Sequence, residues 1–206
     1  MADGRDVECW DNHAIECEDA GREPFPPHDS WMRIQLTGLE NVHRCLDVGC
    51  GPCYWINLFE GKQYNAVDHS PGMLAAAKNT IVRNNLQNAV GEVRQGNART
   101  LQEVYKEDEF DLVFTAGVLQ HNRNEPDKRE IVEGIRYVLR EGGYYLCTEN
   151  TFREDNCPQS VGDPNYTDGN SFTPKGWEKF MSELGFELLE QHYPSEYLYK
   201  KVSTLH

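Results

Sequence analysis

The residues best placed to do chemistry are two aspartates and two glycines that follow short apolar segments. Asp47 is followed at once by Gly49 and Gly51, and Asp68 comes 21 residues after Asp47. Glycines so spaced allow a tight turn and let the backbone approach a ligand closely. A carboxylate about 20 residues further on is placed to accept hydrogen bonds from the hydroxyls of a ribose. The pattern therefore predicts a site for a nucleoside-containing ligand.

Two alternatives stay open for these residues. The glycines could mark only a tight turn between a strand and a helix, and Asp68 could be a helix N-cap. Ser70, just before Pro71, is the better N-cap. A dinucleotide ligand is also possible, but the full GxGxxG spacing is absent.

Strand and helix patterns alternate around these residues. Strands are predicted at 44–48, 64–67, 91–95, 110–116 and 144–148, with helices at 31–38, 55–59, 71–84 and 127–140. Such alternation predicts right-handed crossovers and a parallel sheet with helices on both faces. A helix at 174–184 and two closely spaced strands at 186–192 and 197–202 predict an antiparallel hairpin at the end. The fold class is therefore α/β, a Rossmann-like, doubly wound sheet of seven mostly parallel strands.

Residues 1–28 are acidic and carry several prolines, so we interpret them as an N-terminal arm or lid with a short helix expected around residues 10–15. Residues 29–206 form the predicted domain, and the polar segment 150–172 is a loop insertion at its active site. Both segments are expected to close over the ligand, because they would sit beside the carboxyl edge of the sheet.

Composition narrows the function classes. The 206 residues suit one domain, and 20 Lys plus Arg against 34 Asp plus Glu give a formal charge of −14. A chain this acidic is poorly suited to nucleic acid, whereas a cationic or neutral small molecule is easier to attract. No run is apolar enough for a membrane span, and the polar start is unlike a secretory signal, so we expect a cytoplasmic protein. The seven cysteines show no disulfide framework, and Cys50 and Cys53 lack the second pair that a metal site would need.

Five motifs in order carry a resemblance to a known family. They are LDVGCGPC, AVDHSPGML, QGNA, FDLVFTAGVLQH and LREGGYYL. Their order and spacing, together with the closing helix and hairpin, resemble class I S-adenosylmethionine-dependent methyltransferases over about residues 30–202. The resemblance implies an enzyme that uses S-adenosylmethionine as methyl donor. It departs from the family at Cys53, where a third glycine is usual, so either a wider turn or a slightly different position of the cofactor is expected there.

The resemblance also implies residue roles. The methionyl end of the cofactor would lie against Asp47, Gly49, Cys50 and Gly51. The ribose would bind Asp68, with His69 beside it, and the adenine would pack near Met73. Asn97 and Ala98 fall where the family contacts the adenine edge, and Ala116 to Leu119 would line the site beside the sulfonium.

The acceptor side is predicted from residues near the same sheet edge. His121, at the end of the fourth strand, is the candidate catalytic base, with a purely structural histidine as the alternative. Candidate acceptor contacts are Trp10, His13, Tyr54, Glu149, Asn150 and Tyr166. We expect methyl transfer to an N or O atom, with S as an alternative, of a small molecule. A protein or peptide N-terminal methyltransferase and a catalytically silent cofactor-binding module are the rival hypotheses.

Overall fold

In a computed structural model of the chain, the residues described are 7–19, 31–122, 125–148, 174–192 and 196–203. The predicted loop insertion at 150–172 lies outside them, as does most of the predicted arm apart from residues 7–19. Along these ranges, helices and strands alternate as the apolar patterns predict.

Seven strands form one sheet. They are β1 (Arg44–Val48), β2 (Gln63–Asp68), β3 (Val90–Gln95), β4 (Phe110–Ala116), β5 (Leu139–Thr148), β6 (Phe186–His192) and β7 (Glu196–Lys201). Their order is β3-β2-β1-β4-β5-β7-β6. The first five strands are parallel, and β7 runs antiparallel to both β5 and β6. The predicted fold class, including the antiparallel hairpin, is confirmed.

Five α-helices pack around the sheet. They are α1 (Val7–Asp19), α2 (Trp31–Gly38), α3 (Pro71–Arg83), α4 (Glu125–Val138) and α5 (Pro174–Glu183). One core cluster contains apolar residues of α2 and α3, and the other contains those of α4 and α5. The alternation along β4 shows the two faces, because Leu112 and Phe114 belong to the first cluster and Val113 to the second. No helix among the described residues is long and apolar enough to cross a membrane.

The strand order places the ligand site. The chain runs outward from β1 to β3, then crosses back and continues through β4 and β5 on the other side. The loops that leave β1 and β4 therefore diverge at their carboxyl ends and open a crevice. Residues from the motifs after β1, β2 and β4 meet at this crevice, among them Gly49, His69 and His121.

Two predicted helix boundaries are wrong. The helix expected to reach residue 140 ends at Val138, because Leu139 already pairs with Phe110 in the sheet. Gly142, with φ of +70°, lies in an irregular part of β5. The helix expected at 55–59 is only a 3₁₀ turn, Ile56–Phe59. Turns at residues 51–55 and 60–61 lie on either side of it, which leaves four residues between them.

A carboxylate lies inside this sheet. Asp47 on β1 is 1% exposed and accepts a 2.6 Å hydrogen bond from the hydroxyl of Tyr64. Burial raises the pKa of Asp47 to about 7, although the bond from Tyr64 opposes that rise. Near neutral pH the folded protein thus holds a group that titrates in its core.

This group makes stability depend on pH. The folded state keeps the Asp47 proton up to about pH 7, whereas an ordinary aspartate loses it near 3.8. The stability that Asp47 contributes to the folded state is therefore fully present below pH 3.8 and is lost as the pH rises through 7. Asp47→Asn removes the titration and keeps an oxygen for Tyr64. At pH 8 we expect the free energy of unfolding of the ligand-free variant to exceed that of ligand-free wild type by up to about 4 kcal/mol. Urea denaturation at pH 4 and pH 8 measures this, and a pH-independent difference would contradict it.

Candidate active site

Three residues of the turn after β1 have a left-handed backbone conformation, with positive φ. Gly49 has φ of +68° and Gly51 of +49°. Gly49 must stay a glycine, because a Cβ there would lie 2.6 Å from Cγ2 of Val118. Cys53, where the family usually has glycine, also adopts a left-handed φ of +59°. The backbone at Cys53 is therefore in a conformation more usual for glycine, and the width of the turn there stays a prediction.

Asp68 joins this turn to the next one. At the end of β2 its Oδ2 accepts a hydrogen bond from the backbone N–H of Gly51 at 2.9 Å. Its Oδ1 accepts one from the N–H of Ser70, also at 2.9 Å. Ser70 in turn caps α3, because its hydroxyl accepts from the N–H of Met73 at 3.0 Å. The helix N-cap predicted at Ser70 is thus confirmed, and the Asp68 carboxylate is left at the surface of a cavity.

The cavity has a volume of about 390 Å³. That size suits a small-molecule or cofactor site. Eight of the ten residues predicted to bind the cofactor line it, namely Gly49, Gly51, Asp68, His69, Met73, Asn97, Ala98 and Ala116. Gly117 and Val118, from the predicted segment beside the sulfonium, line it too, whereas Leu119 of that segment is buried in the core. The carboxyl ends of the parallel strands therefore bring together residues that are far apart in sequence.

Two predicted cofactor residues lie behind the cavity wall. Asp47 and Cys50 are buried and do not line the cavity, and the Asp47 carboxylate is bonded to Tyr64. The adjacent Cys53 thiol, together with burial, raises the pKa of Cys50 well above its usual range. Cys50 is therefore an unreactive thiol at neutral pH. Both residues support the turn from beneath.

The adenine end of the predicted site is formed after β3. Gly96 packs so tightly that a Cβ would lie 2.7 Å from a methyl group of Val104. Asn97 then begins a 3₁₀ turn, and its Oδ1 accepts the N–H of Arg99 at 3.0 Å. This side-chain oxygen of Asn97, which the resemblance places near the adenine edge, is thus held in position by the N–H of Arg99. Its second lone pair is not used by that bond.

His121 closes the other end of the cavity. It follows β4 on a 3₁₀ turn, and the ring of Trp10 from α1 meets it edge-on with centroids 5.1 Å apart. The side-chain nitrogen of Gln120 lies 3.5 Å from Nε2 of His121. Trp10 and His121, both predicted for the acceptor side, are therefore brought together at one wall of the cavity.

Other predicted acceptor contacts are not brought there. His13 is exposed and pairs with Glu16 at 3.0 Å, so it lies outside the cavity. Tyr54 is half-buried away from the lining. Glu149, Asn150 and Tyr166 lie outside the described residues.

Several lining residues were missed by sequence reasoning. They are Val7, Gly96, Arg99, Gln120, Asn122 and Ile131. Gln120 and Asn122 flank His121 after β4, so the same strand-end argument could have found them. Val7 and Ile131 are ordinary apolar residues on helices, and nothing in their pattern marks them as ligand contacts.

The cavity fits S-adenosylmethionine in chemistry as well as size. Asp68 offers a carboxylate for ribose hydroxyls, and Met73 and Ala98 offer apolar surface for adenine. A Cβ added to Gly51 would meet only Sδ of Met73, at 3.8 Å, so the backbone there is open to close approach by a ligand. Asp68 and the bare Gly51 are the features that such a ligand requires.

Comparisons with known proteins agree with this geometry. A family described as "Methyltransferase domain" matches residues 46–147. Demethylmenaquinone methyltransferase of Bacillus mycoides (strain KBAB4) is 28% identical over 135 residues, which are 62% of this chain and 54% of that protein. The chain spans about half the length of the curated relatives it matches.

Solved structures show the same fold. A Bacillus halodurans C-125 protein described as a methyltransferase superposes with a TM-score of 0.63 at 25% identity, covering 78% of this chain and 69% of that one. The [4+2]-cyclase SpnF gives a TM-score of 0.68 at 20% identity, covering 89% and 73%. The second likeness concerns the fold alone. Together with the five motifs in order and the antiparallel hairpin, these comparisons identify residues 46–147 as a methyltransferase domain of the class I S-adenosylmethionine-dependent type.

Proposed function

We propose that the protein transfers the methyl group of S-adenosylmethionine to an N or O atom, with S as an alternative, of a small molecule with a planar, largely apolar part. The observation that carries this proposal is the cavity itself. Its lining combines the Asp68 carboxylate and the turn at Gly49 and Gly51 with the rings of Trp10 and His121.

Bound S-adenosylmethionine supplies a methyl group already activated by its sulfonium. The protein's own part is then to position the reactants and exclude water. Asp68 would accept hydrogen bonds from the two ribose hydroxyls, and the backbone at Gly49 and Gly51 would approach the amino-acid end of the cofactor. Gly117, with φ of +71°, lets the chain turn directly beside the reacting atoms.

The acceptor wall combines apolar surface with one titratable group. Val7, Trp10 and Val118 provide the apolar part, and Val7 is 40% exposed in the absence of a ligand. A planar acceptor would cover this surface and gain free energy from its burial. His121 would accept the proton that a hydroxyl or protonated amine must lose.

The relatives support a small acceptor. The matched curated proteins are named for demethylmenaquinone, a small-molecule acceptor. The acidic charge of the chain would also suit the cationic end of a peptide, so the peptide hypothesis stays a prediction. A silent cofactor-binding module has less support, since Asp68, both glycines and His121 are all at the cavity.

Asp68 provides the first test of this function. Asp68→Ala removes a charge-assisted contact to the ribose, so we expect binding of S-adenosylhomocysteine to weaken by about 1–3 kcal/mol. Asp68→Asn, which keeps an acceptor oxygen, should weaken it less. Isothermal titration calorimetry measures both. Equal affinity in wild type and Asp68→Ala would refute the ribose contact, and tighter binding of a nicotinamide dinucleotide would refute the cofactor.

His121 provides the second test. If it removes the acceptor proton, His121→Ala should lower turnover by about 10²–10⁴ while S-adenosylhomocysteine affinity stays nearly unchanged. The wild-type rate should rise with pH through one titration, and the variant should lack that rise. Turnover is measured with methyl-labelled S-adenosylmethionine against a panel of planar phenols and amines.

His43→Ala is the matched control, because this histidine is exposed and does not line the cavity. It should keep normal turnover. If His121→Ala does so as well, His121 is structural and the acceptor arrives already deprotonated.

A further inference from the structure

The helix α1 is fastened to the body of the protein by one carboxylate. Oδ1 of Asp11 accepts a hydrogen bond from the hydroxyl of Ser70 at 2.5 Å. The same oxygen accepts the backbone N–H of Gly72 at 2.8 Å. These bonds from Ser70 and Gly72 hold the pKa of Asp11 below its usual value, so the carboxylate stays ionised near neutral pH. We call this pair of bonds the Asp11 clasp.

The clasp depends on a glycine. A Cβ added to Gly72 would lie 2.8 Å from Oδ1 and 2.9 Å from Cα of Asp11. The second of these atoms is backbone, so it could move only if α1 moved. Gly72 has no positive φ, and its place in the first turn of α3 tolerates alanine. Space for α1, rather than backbone conformation, is what requires glycine here.

Apart from the clasp, α1 is lightly held. Of residues 7–16, whose exposure is described, Ala14 alone is buried. Val7 is 40% and Ile15 60% exposed. A helix with so little buried apolar surface is at the low-stability end of a structure. Two hydrogen bonds to an ionised group are therefore a large part of what positions it.

The clasp ends on the turn that holds the predicted ribose contact. The N–H of Ser70 donates to Oδ1 of Asp68, and the hydroxyl of Ser70 donates to Asp11. A continuous chain of hydrogen bonds thus runs from Gly51 through Asp68 and Ser70 to α1. A ligand that fixes Asp68 also fixes the donors of the clasp.

On its other side, α1 completes the cavity. Val7 and Trp10 line it together with Asp68 and Met73, and Trp10 contacts His121. We propose that Asp11 is a positioning residue that keeps α1 docked over the bound cofactor, so that the cofactor leaves only when α1 undocks. The acceptor wall at Trp10 then forms in full only on the cofactor-loaded enzyme, which imposes an order of binding. This inference rests on the proposed function.

The test measures the rate at which S-adenosylhomocysteine leaves, by stopped-flow displacement with excess S-adenosylmethionine. Asp11→Ala should raise the dissociation rate at least tenfold. Asp11→Asn, which keeps an oxygen that can accept both bonds, should restore most of the wild-type rate. Glu16→Ala is the matched control, since it removes a carboxylate from the exposed side of the same helix. It should behave as wild type.

Gly72→Ala tests the clasp from the opposite side, with Asp11 intact. Its Cβ should displace α1 and raise the dissociation rate as Asp11→Ala does, and the double variant should be no faster than the quicker single one. Hydrogen exchange of residues 7–19 in the ligand-free protein supplies a readout that needs no bound cofactor. The exchange of these residues should be faster in both variants than in wild type, while the melting temperature of the protein stays close to that of wild type.

Three results would overturn the inference. The first is a wild-type dissociation rate in Asp11→Ala or in Gly72→Ala. The second is Asp11→Asn as fast as Asp11→Ala. The third is a wild type that binds no S-adenosylhomocysteine, which would also refute the proposed function, whereas the first two leave that function standing.

Discussion

The site depends on the position of one carboxylate, that of Asp68. Each of its oxygens accepts a backbone N–H, one from the turn after β1 and one from the turn after β2. These turns come from neighbouring parallel strands, whose pairing fixes where each loop starts. Because both N–H groups are otherwise unpaired turn donors, losing the carboxylate would leave them without that bond. The same carboxylate that organises the two turns therefore also lines the cavity, where we propose that it meets the ribose.

Much of this arrangement could be predicted from sequence because it follows from strand ends. Residues at the carboxyl end of a short apolar strand, such as Gly49 after β1 and Asp68 at the end of β2, must lie at one edge of a parallel sheet. Asp47 lies one residue before the end of β1, and its side chain is buried instead. The α1 contacts could not be predicted in this way. No local sequence pattern links Asp11 to Ser70, which is 59 positions away. A helix can dock through any polar side chain that meets the unpaired N–H groups at the N-terminus of another helix.

The helix period explains why Trp10 lines the cavity and His13 does not. At about 100° per residue, Val7, Trp10, Asp11 and Ala14 share one face of α1, and His13 points about 110° from its centre. Trp10 therefore reaches His121, whereas His13 contacts Glu16 and the edge of the Trp10 ring. Near helix ends the prediction failed for a different reason. Leu139 satisfies helix and strand patterns equally well, and its pairing with Phe110 decides the outcome.

The division of the cavity explains why the family is evident and the acceptor is not. The matched methyltransferase domain, residues 46–147, contains Asp68, the glycine turn and His121. It does not contain α1, which supplies Val7 and Trp10 to the acceptor wall. The matched range contains all ten residues predicted to bind the cofactor. It leaves out Val7 and Trp10, so the match carries no information on an acceptor that these two side chains would meet.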